Sequence, residues 1–155
     1  MKIRKARKGD ERDLMELYPQ FWEIHNLIDP LIKPAKKLTR KSYLNGAKEN
    51  IKKFKFGFLV AEIDGKVVGY IEFMIKKNEN FFKVKRYGYL DATVTHKNYR
   101  KRGVAKALTK EAIKSLKKRG IKYVKANVYN SNKIAIGVWK KLGFKENSTM
   151  LLKKI

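Results

Sequence analysis

No cysteine occurs in the 155 residues of this chain, which excludes disulfides, a thiolate zinc site and a cysteine nucleophile together. Histidine is nearly absent: His25 and His96 are the only two, too few for a histidine-rich metal site, and no metal is expected. No apolar run approaches the length of a membrane span, and the opening Met1-Lys2-Ile3-Arg4-Lys5-Ala6-Arg7-Lys8 lacks the apolar middle of a signal peptide. These absences set the expectation of a cytoplasmic protein without a membrane partner. Glutamine appears once, as Gln20, beside abundant Lys and Glu, a balance that leans toward a thermophilic source. Acidic residues are also scarce, with 14 Asp and Glu facing 39 Lys and Arg for a formal net charge of +25.

The basic excess is concentrated late in the chain. Residues 81–155 hold 21 basic residues and three acidic ones, Asp91, Glu111 and Glu146. A solvated surface that favours lysine would give this pattern, and so would attraction to a polyphosphate cofactor, an acidic partner or nucleic acid. The hydrophobic content of 43% is enough to bury a core, and the length fits one domain over residues 1–155. Neither repeats nor a low-complexity linker interrupt it.

Ile3–Ala6 reads as a first strand, and Asp10 stands where an N-cap would open a helix through about Tyr18, with Pro19 closing or kinking it. From Phe21 to Lys37 the mixture of Trp22, His25, Pro30 and Pro34 predicts a short helix with loops. Residues 39–55 read as helical. Next come Phe58–Ile63, the pair Asp64-Gly65, and Lys66–Ile75, the pattern of a tight hairpin. Lys76–Val84 reads as a polar loop and Tyr87–Thr95 as a strand, since Leu90, Ala92 and Val94 alternate with Asp91, Thr93 and Thr95. Val104, Leu108, Ala112 and Leu116 then follow helical spacing, and Gly120 ends that helix. Ile121–Tyr129 is read as a strand, Asn132–Leu142 as a helix stopped by Gly143, and Met150–Ile155 as a final strand. This order predicts a mixed α/β layer around a largely antiparallel sheet.

The segment Arg100-Lys101-Arg102-Gly103-Val104-Ala105 lies between a predicted strand and a predicted helix. First-turn amides have no partner inside a helix, and the helix dipole adds positive potential there, so an anion can dock. Small residues at Gly103 and Ala105 let a phosphate approach the backbone, while three cations raise the local potential. The spacing is neither that of a P-loop nor that of a Rossmann fingerprint.

These residues resemble the GNAT superfamily of acetyl-CoA N-acyltransferases, whose pyrophosphate motif Gln/Arg-x-x-Gly-x-Gly/Ala is matched by Arg100, Gly103 and Ala105. The resemblance extends to Asn132-Lys133-Ile134-Ala135 followed by Trp139-Lys140-Lys141-Leu142-Gly143-Phe144, similar to the family's Asn-x-x-Ala…Tyr-x-x-x-Gly-Phe segment. Val68-Gly69-Tyr70-Ile71 and the opening Ile3–Ala6 also look like family members. The resemblance implies a GNAT fold of the α+β type. Its central sheet would have six to seven strands, helices on both faces, and a splay between the strands at 87–95 and 121–129. It implies acetyl-CoA as cofactor, with Thr93, Val94 and Thr95 pairing with pantetheine. Arg100, Lys101, Arg102, Gly103, Val104, Ala105 and Lys106 would hold the pyrophosphate, with Asn132, Ala135 and Trp139 along the cofactor arm. Asn132 also reads as an ordinary helix N-cap, and Phe144 as packing.

Two positions depart from the family pattern. Where a Glu general base is common, five residues before Asn132, this chain has Asn127, and where a Tyr proton donor is common it has Trp139. An amide cannot take the proton and an indole N–H is not a useful acid. Asp91 and Tyr129 are the substitute candidates for catalysis through water, and His25 could face the acceptor site. The expected activity is transfer of acetyl to a primary amine, whether a protein N-terminus, a lysine or a small molecule. An acidic or nucleic-acid-associated acceptor stays open, as does a homodimer. The alternatives are a GNAT-like domain that binds CoA without catalysis and a basic nucleic-acid-binding module, the latter drawn from the charge and from Tyr87, Tyr89 and Tyr99.

Overall fold

The computed structural model describes residues 1–155 except Lys55. Among these are five strands, β1 (Lys2–Lys5), β2 (Phe58–Ile63), β3 (Lys66–Lys77), β4 (Arg86–Thr95) and β5 (Val124–Ala126). Four helices accompany them, α1 (Glu11–Ile28), α2 (Arg40–Lys53), α3 (Val104–Lys117) and α4 (Lys133–Lys141). The strands form one sheet in the order β1-β2-β3-β4-β5. Its pairs are antiparallel except β4–β5, which is parallel. No helix among the described residues is long and apolar enough to cross a membrane.

Strand alternation divides the core in two. Phe58, Val60, Tyr70, Ala92 and Val94 pack with Leu14, Leu17 and Tyr18 of α1 and Ala47 of α2 on one face. On the opposite face, Leu59, Ala61, Ile71, Phe73 and Leu90 pack with Val104, Leu108, Ala112 and Leu116 of α3. Helices therefore cover both faces. The expected hairpin between β2 and β3 is present, with Asp64 and Gly65 at φ +50° and +76°, the left-handed pair that a tight turn requires.

Four expectations need correction. The sheet has five strands rather than six or seven, because Met150–Ile155 is exposed and irregular. The strand expected over Ile121–Tyr129 is only Val124–Ala126, since its pairing with β4 stops there. The helix expected to end near Tyr18 continues to Ile28, with Pro19 inside it, so Phe21–Ile28 is the second half of α1. A proline in a helix costs about 3 kcal/mol, but beyond it Phe21 and Trp22 pack against the core that Leu14, Leu17 and Tyr18 fill, and burying large apolar side chains at up to about 1.5–3 kcal/mol each offsets that cost. Finally, β3 runs to Lys77, so the polar loop starts at Asn78.

Helix capping also differs in detail. Asp10 occupies the cap position of α1 without a capping bond; its carboxylate instead takes both guanidinium nitrogens of Arg4 at 2.8 Å and the Arg7 amide at 2.8 Å. Arg4 also reaches Glu62 at 2.7 Å, which ties β1 to β2 and to the start of α1. Thr39 caps α2 reciprocally with Ser42. The expected last residue of that helix, Lys55, lies outside the described residues.

Candidate active site

The decisive local feature is where β4 and β5 part. Their parallel register covers Gly88↔Val124, Tyr89↔Lys125 and Leu90↔Ala126 and goes no further, whereas β4 stays paired with β3 through Gly69↔Thr95. The His96 amide donates to the Val68 carbonyl at 2.9 Å. Because an antiparallel ladder alternates direction along each strand, Val94 and Ala92 turn their backbone groups toward β3, and Thr93 and Thr95 turn theirs into the gap. Consistently, the Thr95 carbonyl accepts from Arg100 Nε, at 3.4 Å. The hydroxyls of Thr93 and Thr95 are buried without a hydrogen-bond partner among the described residues. The sheet thus opens a polar backbone edge that, among the described residues, is paired with no strand and meets only Arg100 at Thr95.

After β4 a short 3-10 turn, Lys97–Tyr99, delivers the chain to the start of α3. Lys101 and Gly103 both adopt positive φ, +62° and +78°. The first bond of the helical ladder is Ala107 N–H to the Gly103 carbonyl at 3.0 Å, so the amides of Val104, Ala105 and Lys106 precede it. Nothing lies within 4 Å of where a Gly103 Cβ would sit, and the side chains of Arg100, Lys101, Arg102 and Lys106 are exposed. Free amides, a helix dipole, open space and four cations converge at one point, which is the chemistry of a phosphate cradle. Val94 and Val104 contribute backbone only, since their side chains are buried in the two cores.

A pocket occupies the splay. From the predicted set it brings together Asp91, Thr93, Tyr129, Asn132, Ala135 and Trp139, with Asn127 also on its wall. The loop from Arg100 to Lys106, with Val94 and Thr95, lies outside this pocket. Asn132 caps α4, its side-chain oxygen accepting from the Ala135 amide at 3.0 Å. Trp139 packs edge-on to Phe144 with ring centroids 5.0 Å apart and against the α3-side core.

Two groups near His25, the α1 residue expected to face the acceptor site, were missed by the sequence pattern: Phe21 of α1 and Asp29 just after it. Phe21 lines the pocket and stacks on His25 with centroids 3.8 Å apart. His25 Nδ1 faces the Phe21 carbonyl at 2.8 Å and must donate to it, since a carbonyl only accepts. The Tyr129 hydroxyl donates to Asp29 at 2.6 Å. Partial burial, then this bond, pushes the Tyr129 phenol up to about 12. The same bond, followed by the Leu31 amide, holds Asp29 below the usual carboxylate range. A third missed group, Glu72, sits behind the pocket wall opposite Ala92, accepting from Asn50 Nδ2 at 2.9 Å. Burial raises it to about 7, even though the Asn50 bond acts in the opposite direction. Asp91 is the residue skipped in register between Ala92 and Leu90, and this irregularity sets it at the pocket mouth beside Glu72.

The acetyltransferase (GNAT) family model matches residues 13–144, a span that contains the splay, the α3 loop and the pocket. The chain belongs to this family. It is similar to an N-alpha-acetyltransferase of Sulfurisphaera tokodaii, 34% identical over 63% of this chain and 62% of that protein. An uncharacterized N-acetyltransferase of Methanocaldococcus jannaschii is 31% identical over 96% of this chain and 62% of its own length. The chain therefore spans about three-fifths of the length of these curated relatives. Among solved structures, the aminoglycoside N-acetyltransferase AAC(6')-Iy in complex with CoA shares the fold, with a TM-score of 0.76 at 20% identity over 99% of this chain and 93% of that one. Family membership and the GNAT fold agree with the splayed, largely antiparallel sheet.

Proposed function

We propose that the protein is an acetyl-CoA-dependent N-acetyltransferase acting on a primary amine, with a peptide N-terminus as the first acceptor to test. The observation that carries this reading is the end of β4–β5 pairing at Leu90↔Ala126, beside the open N-terminus of α3. The residues fit CoA. Thr93 and Thr95 offer backbone groups that no strand pairs to an amide-bearing pantetheine arm, and the amides of Val104, Ala105 and Lys106 offer donors to a pyrophosphate. Arg100, Lys101 and Arg102 add charge, and Asn132, Ala135 and Trp139 line the arm. The choice of an N-terminal amine rests on the name of the Sulfurisphaera tokodaii relative.

Acetyl-CoA supplies the acetyl group as a thioester whose thiolate, with a thiol pKa of roughly 8.5, leaves at neutral pH without a strong acid. Asp91 accepts, through water, the proton that the acceptor ammonium must shed to become a nucleophile. Tyr129 keeps its proton at neutral pH because its pKa is pushed up to about 12, so it is a hydrogen-bond donor and not a base. Asp29 orients its hydroxyl. The bond from His25 Nδ1 to the Phe21 carbonyl and the stacking on Phe21 fix the orientation of the imidazole at the pocket wall. Positioning of amine and thioester carries most of the rate.

Free thiol released from acetyl-CoA in the presence of peptides with free or blocked N-termini, a lysine peptide, a polyamine and an aminoglycoside tests the proposal. Turnover on at least one free amine supports it. Calorimetric CoA binding without turnover on any acceptor would replace it with the non-catalytic CoA-binding reading, and absence of CoA binding would overturn both.

A further inference from the structure

The sheet carries a second feature at the end of β4 away from the α3 loop. On the face covered by α1 and α2, Met74 is the furthest β3 residue packed against the core. Beyond it the same face continues with Lys76, paired with Tyr87, and Tyr89 lies two residues along β4. Lys76 Nζ stands 3.6 Å from the Tyr89 ring centroid. On β5, Lys125 pairs with Tyr89 and its Nζ lies 4.9 Å from the Tyr87 centroid. Tyr123, two residues before Lys125 and so on the same face, is 61% exposed. The opposite face is closed: a Cβ on Gly88 would meet Leu116 Cδ1 at 2.6 Å.

The hairpin tip extends this surface. Phe81 and Phe82 are 79% and 47% exposed, with ring centroids 4.4 Å apart. The loop that carries them also holds Lys83 and Lys85, with Glu79 the one acid between residues 76 and 89. Tyr87 and Tyr89 fix two ammonium groups above the sheet through their ring faces, while Tyr123, Phe81 and Phe82 keep their rings open to solvent. Fixed cations at phosphate reach and unoccupied aromatic faces together match an extended polyanion with flat, unstacked bases.

We propose that this face of the β3–β4 hairpin and β5 is a binding platform for single-stranded nucleic acid, beside the acetyl-transfer pocket and at the end of β4 away from the α3 loop. From Tyr89 to Thr95 at the end of β4, six steps at roughly 3.3 Å each place the α3 loop about 20 Å from the nearest platform ring, which leaves that loop free when the platform is filled. An acidic peptide would engage the lysines but leave the exposed rings unused, and a duplex would keep its bases stacked away from them.

Fluorescence anisotropy of a labelled single-stranded oligouridylate of about 12 nucleotides, within the size range of such sites, tests the proposal with the full chain. Wild type should bind at low salt, and duplex RNA of equal length or poly-glutamate should compete less well than unlabelled oligouridylate. Tyr123→Ala and Phe81→Ser should each weaken binding on the order of tenfold, the effect of losing one stacking ring, while leaving CoA affinity unchanged. The pair Lys76→Gln and Lys125→Gln should flatten the logarithmic salt dependence by about 1.4, at roughly 0.7 per phosphate contact. Two results would overturn the proposal: no binding at low salt, or wild-type affinity in both aromatic variants together with equal competition by poly-glutamate.

Discussion

Glu72 is 5% exposed, and its charge state governs how stability varies with pH. Its carboxylate accepts from Asn50 at 2.9 Å and from the Tyr18 hydroxyl at 3.5 Å, but burial dominates and raises its pKa from 4.5 to about 7. A raised folded-state value means that folding favours the protonated form. The contribution is fully present below the unfolded value and is lost as pH rises through about 7. At about 1.4 kcal/mol per tenfold change in proton affinity, the loss amounts to about 3 kcal/mol by pH 9. Glu72→Gln keeps an oxygen for Asn50 and cannot ionise, so the variant should match wild type within about 1 kcal/mol at pH 4.5 and exceed it by about 3 kcal/mol at pH 9. Urea unfolding of both proteins at pH 4.5, 7 and 9 reads the difference directly, because every other titrating group is common to the two. Parallel stability profiles across that range would refute the reasoning and place Glu72 in contact with water.

Replacing Gly103 by Val puts a β-branched residue at φ +78°, a left-handed conformation that costs an L-residue roughly 1–2 kcal/mol, and crowds the amides before α3. CoA affinity by calorimetry should fall on the order of tenfold, and unchanged affinity in a folded variant would reject the loop as the pyrophosphate site. Arg4→Ala strips Asp10, which is 6% exposed, of both guanidinium bonds and should destabilise the fold by about 3–5 kcal/mol; a loss below 1 kcal/mol in urea unfolding would mean that water replaces the guanidinium. Trp139→Phe removes the indole N–H and keeps the edge-on packing on Phe144, so most of kcat should survive. General acid catalysis is worth about 10²–10⁴-fold, and a hundredfold drop in kcat with intact CoA binding would assign that role to the indole.

The sequence was most legible where local chemistry and tertiary demand coincide. Asp64-Gly65 can serve as a two-residue hairpin turn in any context, and the bounds of β2 agree with the reading residue for residue. The α3 loop was legible for the same reason, since Gly103 marks a left-handed start and the helix behind it has a clear apolar row. Pro19 misled because its local preference was weighed without the core that α1 fills beyond it. Met150–Ile155 misled in the opposite way: its residues favour strand, but a strand exists only with a partner, and all six are exposed. Glu72 and Asp29 carry no local signature. Glu72 looks like any polar residue on a strand until α1 and α2 close over it, and Asp29 meets Tyr129 across a hundred positions of chain.

The two departures from the family motif acquire a physical meaning from their place in the pocket. Asn127 and Trp139 both line it, so two ionisable side chains are missing from the β5–α4 side of the splay. The titratable groups that border the pocket stand instead on β4, on α1 and just past β5, as Asp91, His25 and Tyr129, with Asp29 bonded to the last. Two carboxylates at this mouth also oppose the sign of a chain whose net charge is +25. A positive acceptor amine approaching such a protein is repelled almost everywhere else, whereas the anionic end of CoA is drawn to the basic start of α3. Under the proposed function, the separation of these potentials along β4 guides the two substrates to opposite ends of one splay, and Asp91→Asn should weaken acceptor use more than CoA binding. Equal losses in acceptor KM and CoA affinity, measured by initial rates and calorimetry, would show that Asp91 holds the architecture of the splay and not the amine.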